Sequence, residues 1–169
     1  GGGKGGGGGG ANDLHKQAAV SVVIPALNEE ACIGLLLRQL MVLEPLPKEV
    51  IVCVGDSSDK TAQVARAHGA KVVKGARGRS SQMNDGAALA TGDVILFLHA
   101  DTSVPSDVVE VVSRVLQRDD RTVLGGFVSI INVPDRTYWG MSLHNVLKTF
   151  YCPLFFRPIS FFSGLRCLF

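Results

Sequence analysis

The chain has 169 residues, 46% of them hydrophobic, and its formal net charge is +2 with only 19% charged residues. This length suits one domain with a sizeable core, and the nearly balanced charge gives no general basic field of the kind that binds nucleic acid. The four cysteines are widely spaced and form no CxxC pair, which favours reduced core thiols over a disulfide framework or a zinc site.

Residues 1–17 begin with GGGKGGGGGG, a glycine run that has no apolar surface to bury. Since each glycine would lose much conformational entropy on ordering, we expect this segment to be a flexible tail. No apolar stretch of the kind found in signal peptides follows, and we therefore expect a cytoplasmic protein.

From residue 18 onward, short apolar runs alternate with patterns typical of amphipathic helices. In chain order, the patterns predict a strand at 18–27, a helix at 31–43, a strand at 49–55, a helix capped near Ser58 or Asp59 and ended by Gly69, a strand at 71–75, a helix at 80–92, a strand at 93–101, a helix at 105–117 and a strand at 122–133. This alternation predicts an α/β fold with a Rossmann-like, mostly parallel sheet and helices on both faces.

Polar residues follow three of the predicted strands at the points where the strands end. Asn28 and Glu29 follow the first strand, residues 56–59 follow the second, and His99 and Asp101 close the fourth. In open parallel sheets, ligands bind beyond the carboxyl ends of the strands, near the place where the strand order reverses. We therefore expect these polar side chains to converge on one site.

The run LFLHAD ends in a candidate metal site. A hard divalent cation takes one or two carboxylates together with phosphate oxygens, and Asp101 at a strand end is suited to that role. His99 is expected on the same face because side-chain direction in a strand has a period of two. Within the tripeptide alone, Asp101 as a helix N-cap beside a hydrogen-bonded histidine is an equally good interpretation.

The segment KVVKGARGRSSQMNDG places a cluster of cations before a predicted helix start: Lys71, Lys74, Arg77 and Arg79. Free backbone N–H groups at that start, with Gly75 and Gly78 allowing close approach, favour an anion site, and arginine can bind phosphate through two hydrogen bonds. A solvated basic loop explains the same residues equally well. The turn DSSDKT similarly offers carboxylates to a ribose or base, although Asp and Ser are also ordinary turn formers.

Residues 136–169 differ from the rest of the chain in being rich in aromatic side chains. Pro153, Pro158 and Gly164 interrupt the segment, so it is not expected to span a membrane, which requires about 20 apolar residues. A peripheral membrane contact through 150–169 remains open, and so does the simpler interpretation of core residues whose packing partners follow Phe169.

Four motifs occur in a fixed order: IPALNEE, GDSSDKT, GRSSQMNDGAALATGD and LFLHAD. Together they resemble the catalytic domain of family 2 glycosyltransferases over roughly residues 20–130, and most closely a bacterial-type subgroup in which HAD replaces the usual Asp-x-Asp. The resemblance implies a GT-A fold, a UDP- or GDP-type sugar donor, an unidentified acceptor, Mg²⁺ or Mn²⁺ as cofactor, and inversion at the anomeric carbon. It also implies a nucleotide-sugar-binding domain at 18–135 and the start of an acceptor-side half at 136–169.

The same resemblance implies roles for residues of each motif. Asp101 would bind the metal, with His99 in the place of the first acid of the family motif. Asp59 stands where the family has the later acid of the second motif, and Arg77 or Arg79 would neutralise charge on the diphosphate. The residues implied along the base and diphosphate are Pro25, Ala26, Asn28, Glu29, Arg79, Gln82, Met83 and Asn84.

Two departures from the family pattern leave alternatives open. Val54 stands where the family usually has an aspartate, so either Asp56 substitutes through a shifted turn or the contact to base and ribose is weakened. The general base is expected beyond Phe169, since no acid follows Asp135. A truncated, catalytically incomplete domain that acts only in nucleotide binding or protein interaction is therefore the alternative to a transferase.

Overall fold

The computed structural model describes residues 18–118, 124–125, 132–133, 136–137 and 166–168. In chain order, the helices and strands are β1 (Val20–Ala26), α1 (Glu30–Leu40), β2 (Glu49–Val54), α2 (Thr61–Ala67), β3 (Lys71–Lys74), α3 (Arg79–Leu89), β4 (Val94–Phe97), α4 (Val108–Arg118), β5 (Leu124–Gly125), β6 (Asn132–Val133), β7 (Arg136–Thr137) and β8 (Arg166–Leu168). None of the helices among these residues has the length and apolar composition that crossing a membrane would require.

Six strands form one sheet in the order β3-β2-β1-β4-β8-β5, and every strand pair in it is parallel. β6 and β7 form a separate antiparallel pair. The predicted α/β fold with a mostly parallel sheet is therefore confirmed. β1 lies between β2 and β4, and all seven of its residues are buried, which suits its run of β-branched side chains because both of its faces are covered.

Helices cover both faces of the sheet, as the sequence predicted. Side chains alternate along β1, so that Val22 and Ile24 belong to the larger hydrophobic cluster and Val23 belongs to a smaller one on the opposite face. The larger cluster includes buried residues of α1, α2 and α4. The smaller cluster packs against α3 through Ala87.

The strand order reverses beside β1, and this reversal opens a crevice. β1 continues its parallel ladder with β2 as far as Ala26 and Val54. Its ladder with β4 stops earlier, at Val23 and Phe97, and is followed by a hydrogen bond from Leu98 N to Val23 O at 3.1 Å. Beyond this point β1 and β4 no longer pair with each other, and such a place is where open α/β sheets bind ligands.

The strand predicted at 93–101 is shorter than expected. It ends at Phe97, because the ladder with β1 ends there, and a turn follows in which Thr102 N donates to His99 O at 3.1 Å. His99 and Asp101 therefore lie on a turn after β4 and not on one face of a strand, so the period-two argument for their common direction was wrong.

Two other predictions concern element boundaries. Of the strand predicted at 122–133, the structure describes only β5 and β6, which pair with different strands in different sheets, and the rest of the stretch lies outside the described residues. For the second helix a cap near Ser58 or Asp59 was predicted, and α2 begins at Thr61 with Lys60 as its N-cap, one residue after Asp59. Asp59 still serves this helix end from one residue further out, because its Oδ1 accepts a hydrogen bond from Thr61 N at 3.0 Å.

Some sequence predictions fall on other parts of the chain. The flexible tail expected at 1–17 lies outside the described residues. The candidate membrane contact at 150–169 also lies outside them, apart from the backbone of β8.

Two cysteines have described side chains, and both are free thiols. Cys53 is buried in β2, where burial and, to a smaller extent, the charge of Asp85 raise the pKa of its thiol to about 11. Such a thiol stays protonated and unreactive at neutral pH. Cys32 is half-buried on α1.

A polar cluster closes the opposite edge of the sheet, at the amino ends of the strands. Glu49 Oε1 accepts hydrogen bonds from Ser21 Oγ at 2.9 Å, Thr91 N at 2.6 Å and Thr91 Oγ1 at 2.7 Å. Gly92 N in turn donates to Ser21 Oγ at 2.9 Å. Partial burial raises the pKa of Glu49, but these hydrogen bonds and the charge of Lys71 outweigh it, so the pKa lies below its ordinary value. These groups bind one another, which indicates a structural role for this edge.

Gly86 lies where α3 packs closely against the sheet. A Cβ on Gly86 would lie 2.7 Å from Cys53 Sγ and would also overlap Val23 Cγ1. Gly86→Ala is therefore expected to lower the free energy of unfolding by about 1–3 kcal/mol, the usual cost of overpacking a core, as measured by urea denaturation. Ala88→Leu adds more volume at an exposed position of the same helix and is expected to change stability little. An equal loss in both variants would contradict the close packing at Gly86.

Candidate functional site

A cavity of about 480 Å³ opens at the crevice between the ends of β1 and β4. Three segments form its wall: the end of β1 with the loop after it, the start of α3, and the turn after β4. The residues that line it are Pro25, Leu27, Glu29, Gly78, Arg79, Gln82, His99, Ala100 and Asp101. Polar residues after β1 and after β4 thus come together, whereas those after β2 lie outside the wall.

The structure divides the sequence candidates into two groups. Those that line the cavity are Pro25, Glu29, Arg79, Gln82, His99 and Asp101. Those that lie outside its wall are Ala26, Asn28, Asp56, Asp59, Arg77, Met83 and Asn84. Leu27 and Ala100 also line the cavity, although the sequence assigned them no role. The one signal in the sequence was that each lies next to a candidate residue.

Gln82 joins α3 to the end of β1. Its side chain is 4% exposed, and its Nε2 donates to Ala26 O at 2.8 Å. The same carbonyl accepts a hydrogen bond from Gly55 N at 3.1 Å. A Cβ on Gly55 would lie 2.8 Å from Gln82 Nε2, so the glycine leaves the room that the amide occupies. Gln82 therefore fixes the α3 side of the cavity relative to its β1 side.

Asn28 turns the chain out of β1. Its φ is +56°, in the left-handed region that asparagine tolerates better than most residues. Its Oδ1 accepts a hydrogen bond from Ser58 N at 2.9 Å, and its own N–H donates to Ser57 Oγ at 3.0 Å. Asn28 thus binds the turn after β2 and shapes the loop that leads to Glu29.

Asp59 accepts hydrogen bonds at both of its carboxylate oxygens. Oδ1 accepts from Thr61 N at 3.0 Å and from Thr61 Oγ1 at 2.5 Å, and Oδ2 accepts from Glu30 N at 3.0 Å. These bonds, led by that of the Thr61 hydroxyl, hold the pKa of Asp59 below its usual range. Asp59 therefore serves the starts of α1 and α2, where negative charge is also favoured by both helix dipoles.

Asp59 is expected to make stability depend on pH under acidic conditions. The folded pKa lies below that of an unfolded aspartate, about 3.9, so the unfolded chain takes up the proton first as the pH falls. The stabilisation is therefore complete above about pH 5 and is lost as the pH falls through the folded pKa. Thermal unfolding between about pH 7 and about pH 2.5 should show a steeper acid loss for the wild type than for Asp59→Asn. Parallel curves for the two proteins would contradict this assignment.

Arg79 and the first turn of α3 form the positive side of the cavity. Gly78 is the N-cap of α3, with φ +125°, and no side chain caps this helix end. The partial positive charge of the uncapped N–H groups adds to that of the guanidinium, which favours an anion. Among the residues with described side chains, no carboxylate forms an ion pair with Arg79. Arg77 is exposed, and its loop is bound to α3 by the hydrogen bond from Ala76 N to Asp85 Oδ2 at 3.3 Å.

The acidic side of the cavity has the carboxylates of Glu29 and Asp101 and the imidazole of His99. Within the part of the chain that the structure describes, no three His, Cys, Asp or Glu side chains are grouped closely enough to hold a metal ion. A Mg²⁺ or Mn²⁺ ion would need further oxygen ligands from a bound molecule, and such ions commonly use one or two carboxylates with phosphate oxygens. The exposed carboxylate of Asp101 fits an ion of this kind.

Val54 and Asp56 mark the end of β2. Val54 is 5% exposed and belongs to the larger hydrophobic cluster, and Asp56 is exposed on the following turn. Neither residue lines the cavity, so the end of β2 contributes no carboxylate to its wall.

The chain is similar to known proteins over most of the described region. The model of the family "Glycosyl transferase family 2" matches residues 21–168. Among curated proteins, 4,4'-diaponeurosporenoate glycosyltransferase of Staphylococcus haemolyticus is 32% identical over 120 residues, which cover 66% of this chain and 31% of that protein.

Solved structures share the fold. Mannosyl-3-phosphoglycerate synthase from Rubrobacter xylanophilus aligns with a TM-score of 0.58 and 26% identity, covering 65% of this chain and 40% of that one. Glucosyl-3-phosphoglycerate synthase from Mycobacterium tuberculosis, crystallised with Mn²⁺, UDP and glucosyl-3-phosphoglycerate, aligns with a TM-score of 0.54 and 29% identity, covering 65% and 44%. The chain therefore spans less than half the length of each of these relatives.

Proposed function

The chain belongs to glycosyl transferase family 2 and has the GT-A type of α/β fold, and we propose that it binds a nucleoside-diphosphate sugar in the cavity between the ends of β1 and β4. We further propose that it transfers the sugar to an acceptor hydroxyl. The observation that carries the proposal is the cavity, which joins a positive wall at α3 to the carboxylate of Asp101 at the carboxyl edge of a parallel sheet.

The size and charge of the cavity suit this ligand class. Its volume of about 480 Å³ lies within the range of roughly 300–1,000 Å³ that is usual for small-molecule sites. Arg79 and the N–H groups at the start of α3 would bind the diphosphate, because both favour anions. Pro25 and Leu27 would offer apolar surface to the base, and Gln82 a buried amide.

A divalent cation is part of the proposal. The M. tuberculosis synthase was crystallised with Mn²⁺ and UDP, and we propose the same two classes of ligand for this chain. Asp101 would hold Mg²⁺ or Mn²⁺ together with diphosphate oxygens, with His99 on the same turn. When bound, the ion would supply positive charge to the leaving diphosphate.

The proposed transfer is a single displacement with inversion. The acceptor oxygen forms a bond to the anomeric carbon, the bond from that carbon to the diphosphate oxygen breaks, and its electron pair leaves with the diphosphate. Arg79 and the start of α3 stabilise the charge on this leaving group. The hydroxyl proton goes to a general base, a role that we assign to none of the described cavity residues.

The two parts of the chain would divide this work. We assign donor binding to residues 18–135 and the start of the acceptor-side half to residues 136–169. β8, from the later segment, pairs with β4 and with β5. This pairing places a strand of the later segment beside β4, which leads directly to the turn that has His99 and Asp101.

A ligand screen followed by a turnover assay tests the proposed function. UDP or GDP, or one of their sugars, is expected to raise the thermal unfolding midpoint, and to raise it further with Mn²⁺, because a ligand that binds only the folded chain stabilises it. Incubation of the matching nucleotide sugar should then release free nucleotide. Unchanged midpoints with every nucleoside diphosphate, with and without Mn²⁺, would contradict the proposal.

A second candidate is a domain that binds a nucleotide without transferring a sugar. The burial of Val54 favours it, because the family usually has an aspartate there and Asp56 does not line the cavity. Tight UDP or GDP binding without any release of nucleotide from nucleotide sugars, in the presence or absence of acceptor extracts, would support this alternative.

A further inference from the structure

We propose that Thr61, which does not line the cavity, is a positioning residue for donor binding, because its hydroxyl fixes the backbone at Glu29 and with it the β1 side of the cavity. This inference rests on the proposed function, since it concerns the same cavity. It assigns to the turn after β2 a role that is exerted through the loop after β1.

Side chains of the turn after β2 and of the first residue of α2 accept hydrogen bonds from three successive backbone N–H groups between β1 and α1. The N–H of Asn28 donates to Ser57 Oγ at 3.0 Å, that of Glu29 to Thr61 Oγ1 at 2.8 Å, and that of Glu30 to Asp59 Oδ2 at 3.0 Å. Each partner is a side chain, and the acceptors come from a segment about 30 residues further along the chain. The path of the loop is therefore set by side chains of the turn.

Thr61 is the buried member of this set. It is 0% exposed, whereas Ser57 and Asp59 are half-buried. Water can replace a lost hydrogen bond at the two exposed contacts, whereas the contact between Glu29 N and Thr61 is partly buried and water replaces it less readily, so more of the desolvation penalty of this N–H remains. Among the three contacts, the one from Glu29 to Thr61 should accordingly have the largest effect on the loop.

The direction of each hydrogen bond at the Thr61 hydroxyl is fixed by its partners. A backbone N–H can only donate, so Thr61 Oγ1 accepts from Glu29 N; an ionised carboxylate can only accept, so the hydroxyl donates to Asp59 Oδ1 at 2.5 Å. The hydroxyl thus uses its proton on Asp59 and a lone pair on Glu29. The hydrogen bond to the Asp59 carboxylate is charge-assisted and therefore strong, and it orients a lone pair of the hydroxyl toward Glu29 N.

The segment whose backbone Thr61 holds at Glu29 forms part of the cavity wall. Glu29 and Leu27 both line it, and Glu29 N is the point at which the chain passes from the loop into α1. A bound donor would contact this wall, so a loop that samples other positions would bind it less tightly. Preorganised loops bind more tightly because less order has to be gained on binding.

Thr61→Val tests the hydroxyl while keeping the shape of the side chain. It is expected to raise the Kd for UDP or GDP in Mn²⁺ by about 10-fold, the effect of losing one well-made hydrogen bond that holds the site. Thr61→Ser restores the hydroxyl and is expected to bind within about 3-fold of the wild type. Amide exchange at Glu29 should be faster in Thr61→Val and close to wild type in Thr61→Ser.

Ser113→Ala is the matched control for loss of a buried hydroxyl. Ser113 is 3% exposed, and its Oγ donates to Ala18 O at 3.4 Å, away from the cavity wall. This variant is expected to lose some thermal stability and to keep the wild-type Kd. A Kd raised as much in Ser113→Ala as in Thr61→Val would mean that general destabilisation is being measured, and would overturn the inference.

The remaining outcomes of this experiment also test the inference. Equal nucleotide binding by a folded Thr61→Val and the wild type overturns the inference alone, as does Thr61→Ser binding as weakly as Thr61→Val. If Thr61→Val does not fold, Thr61→Ala takes its place, because it also removes the hydroxyl that accepts from Glu29 N, and wild-type binding by a folded Thr61→Ala would overturn the inference. No binding of UDP or GDP by the wild type overturns the proposed function and this inference with it.

Discussion

Asp101→Ala is expected to abolish the Mn²⁺-dependent part of nucleotide binding. The exposed carboxylate of Asp101 is the group in the cavity that best fits a divalent cation shared with a diphosphate. Residues that only orient metal ligands cost 10- to 100-fold in metal affinity when they are replaced, so loss of a ligand itself should weaken UDP or GDP binding in Mn²⁺ by about 100-fold or more. Calorimetric titration with and without Mn²⁺ measures this difference.

Asp107→Ala is the control for removing an exposed aspartate. Asp107 lies in the turn before α4 and does not line the cavity. Its removal is expected to leave the Mn²⁺ dependence unchanged. An unaltered response to Mn²⁺ in a folded Asp101→Ala would show that the metal, if one binds, is held elsewhere, and the thermal midpoints of both variants would report whether they are folded.

Arg79→Glu is expected to weaken UDP binding by about 100-fold and uridine binding by less than about 3-fold. The guanidinium lines the cavity beside the uncapped start of α3 and has no carboxylate partner among the described side chains. Reversing its charge removes a phosphate contact and adds a repulsion, and both effects require the diphosphate. Added salt should reduce the difference between wild type and variant, because it screens exposed charges.

Arg66→Glu makes the same change in net charge away from the cavity. Arg66 is exposed in the last turn of α2, so its reversal should leave the affinity for UDP near the wild-type value. If Arg79→Glu weakens uridine as much as UDP, the cavity has been deformed and the assignment of Arg79 to the diphosphate fails.

Strands β1 and β2 could be predicted because they are buried on both faces. VSVVIPA and EVIVCV are apolar runs rich in β-branched residues, and buried parallel strands have that appearance in a sequence. The helices between the strands were also predicted, with errors at their ends. Boundaries that depend on long-range partners were predicted less well, such as the end of β4, which is set by the ladder with β1.

The candidate site was predicted in part. Arg79 lies at a helix start that follows a glycine, and Asp101 is a carboxylate that follows a buried strand. Both patterns can be recognised from neighbouring residues alone, and both residues line the cavity. Asp59 stands in an equally polar motif, but its two oxygens bind the backbone of Glu30 and the backbone and hydroxyl of Thr61. Nothing in the spacing of DSSDKT distinguishes a carboxylate that is free for a ligand from one that binds the protein.

The sequence by itself determined the α/β alternation, the identity of the charged groups at the strand ends, and the ordered motifs that the family shares. Only the tertiary structure decided which of those groups share a cavity. The ladder of β1 with β4 ends at Val23 while that with β2 runs on to Ala26, so the crevice opens on the β4 side and leaves the end of β2 outside its wall. The proposed role of Thr61 likewise depends on the tertiary structure, because its hydroxyl accepts a hydrogen bond from Glu29 N, 32 residues earlier in the chain. Local sequence patterns contain no information on such a contact.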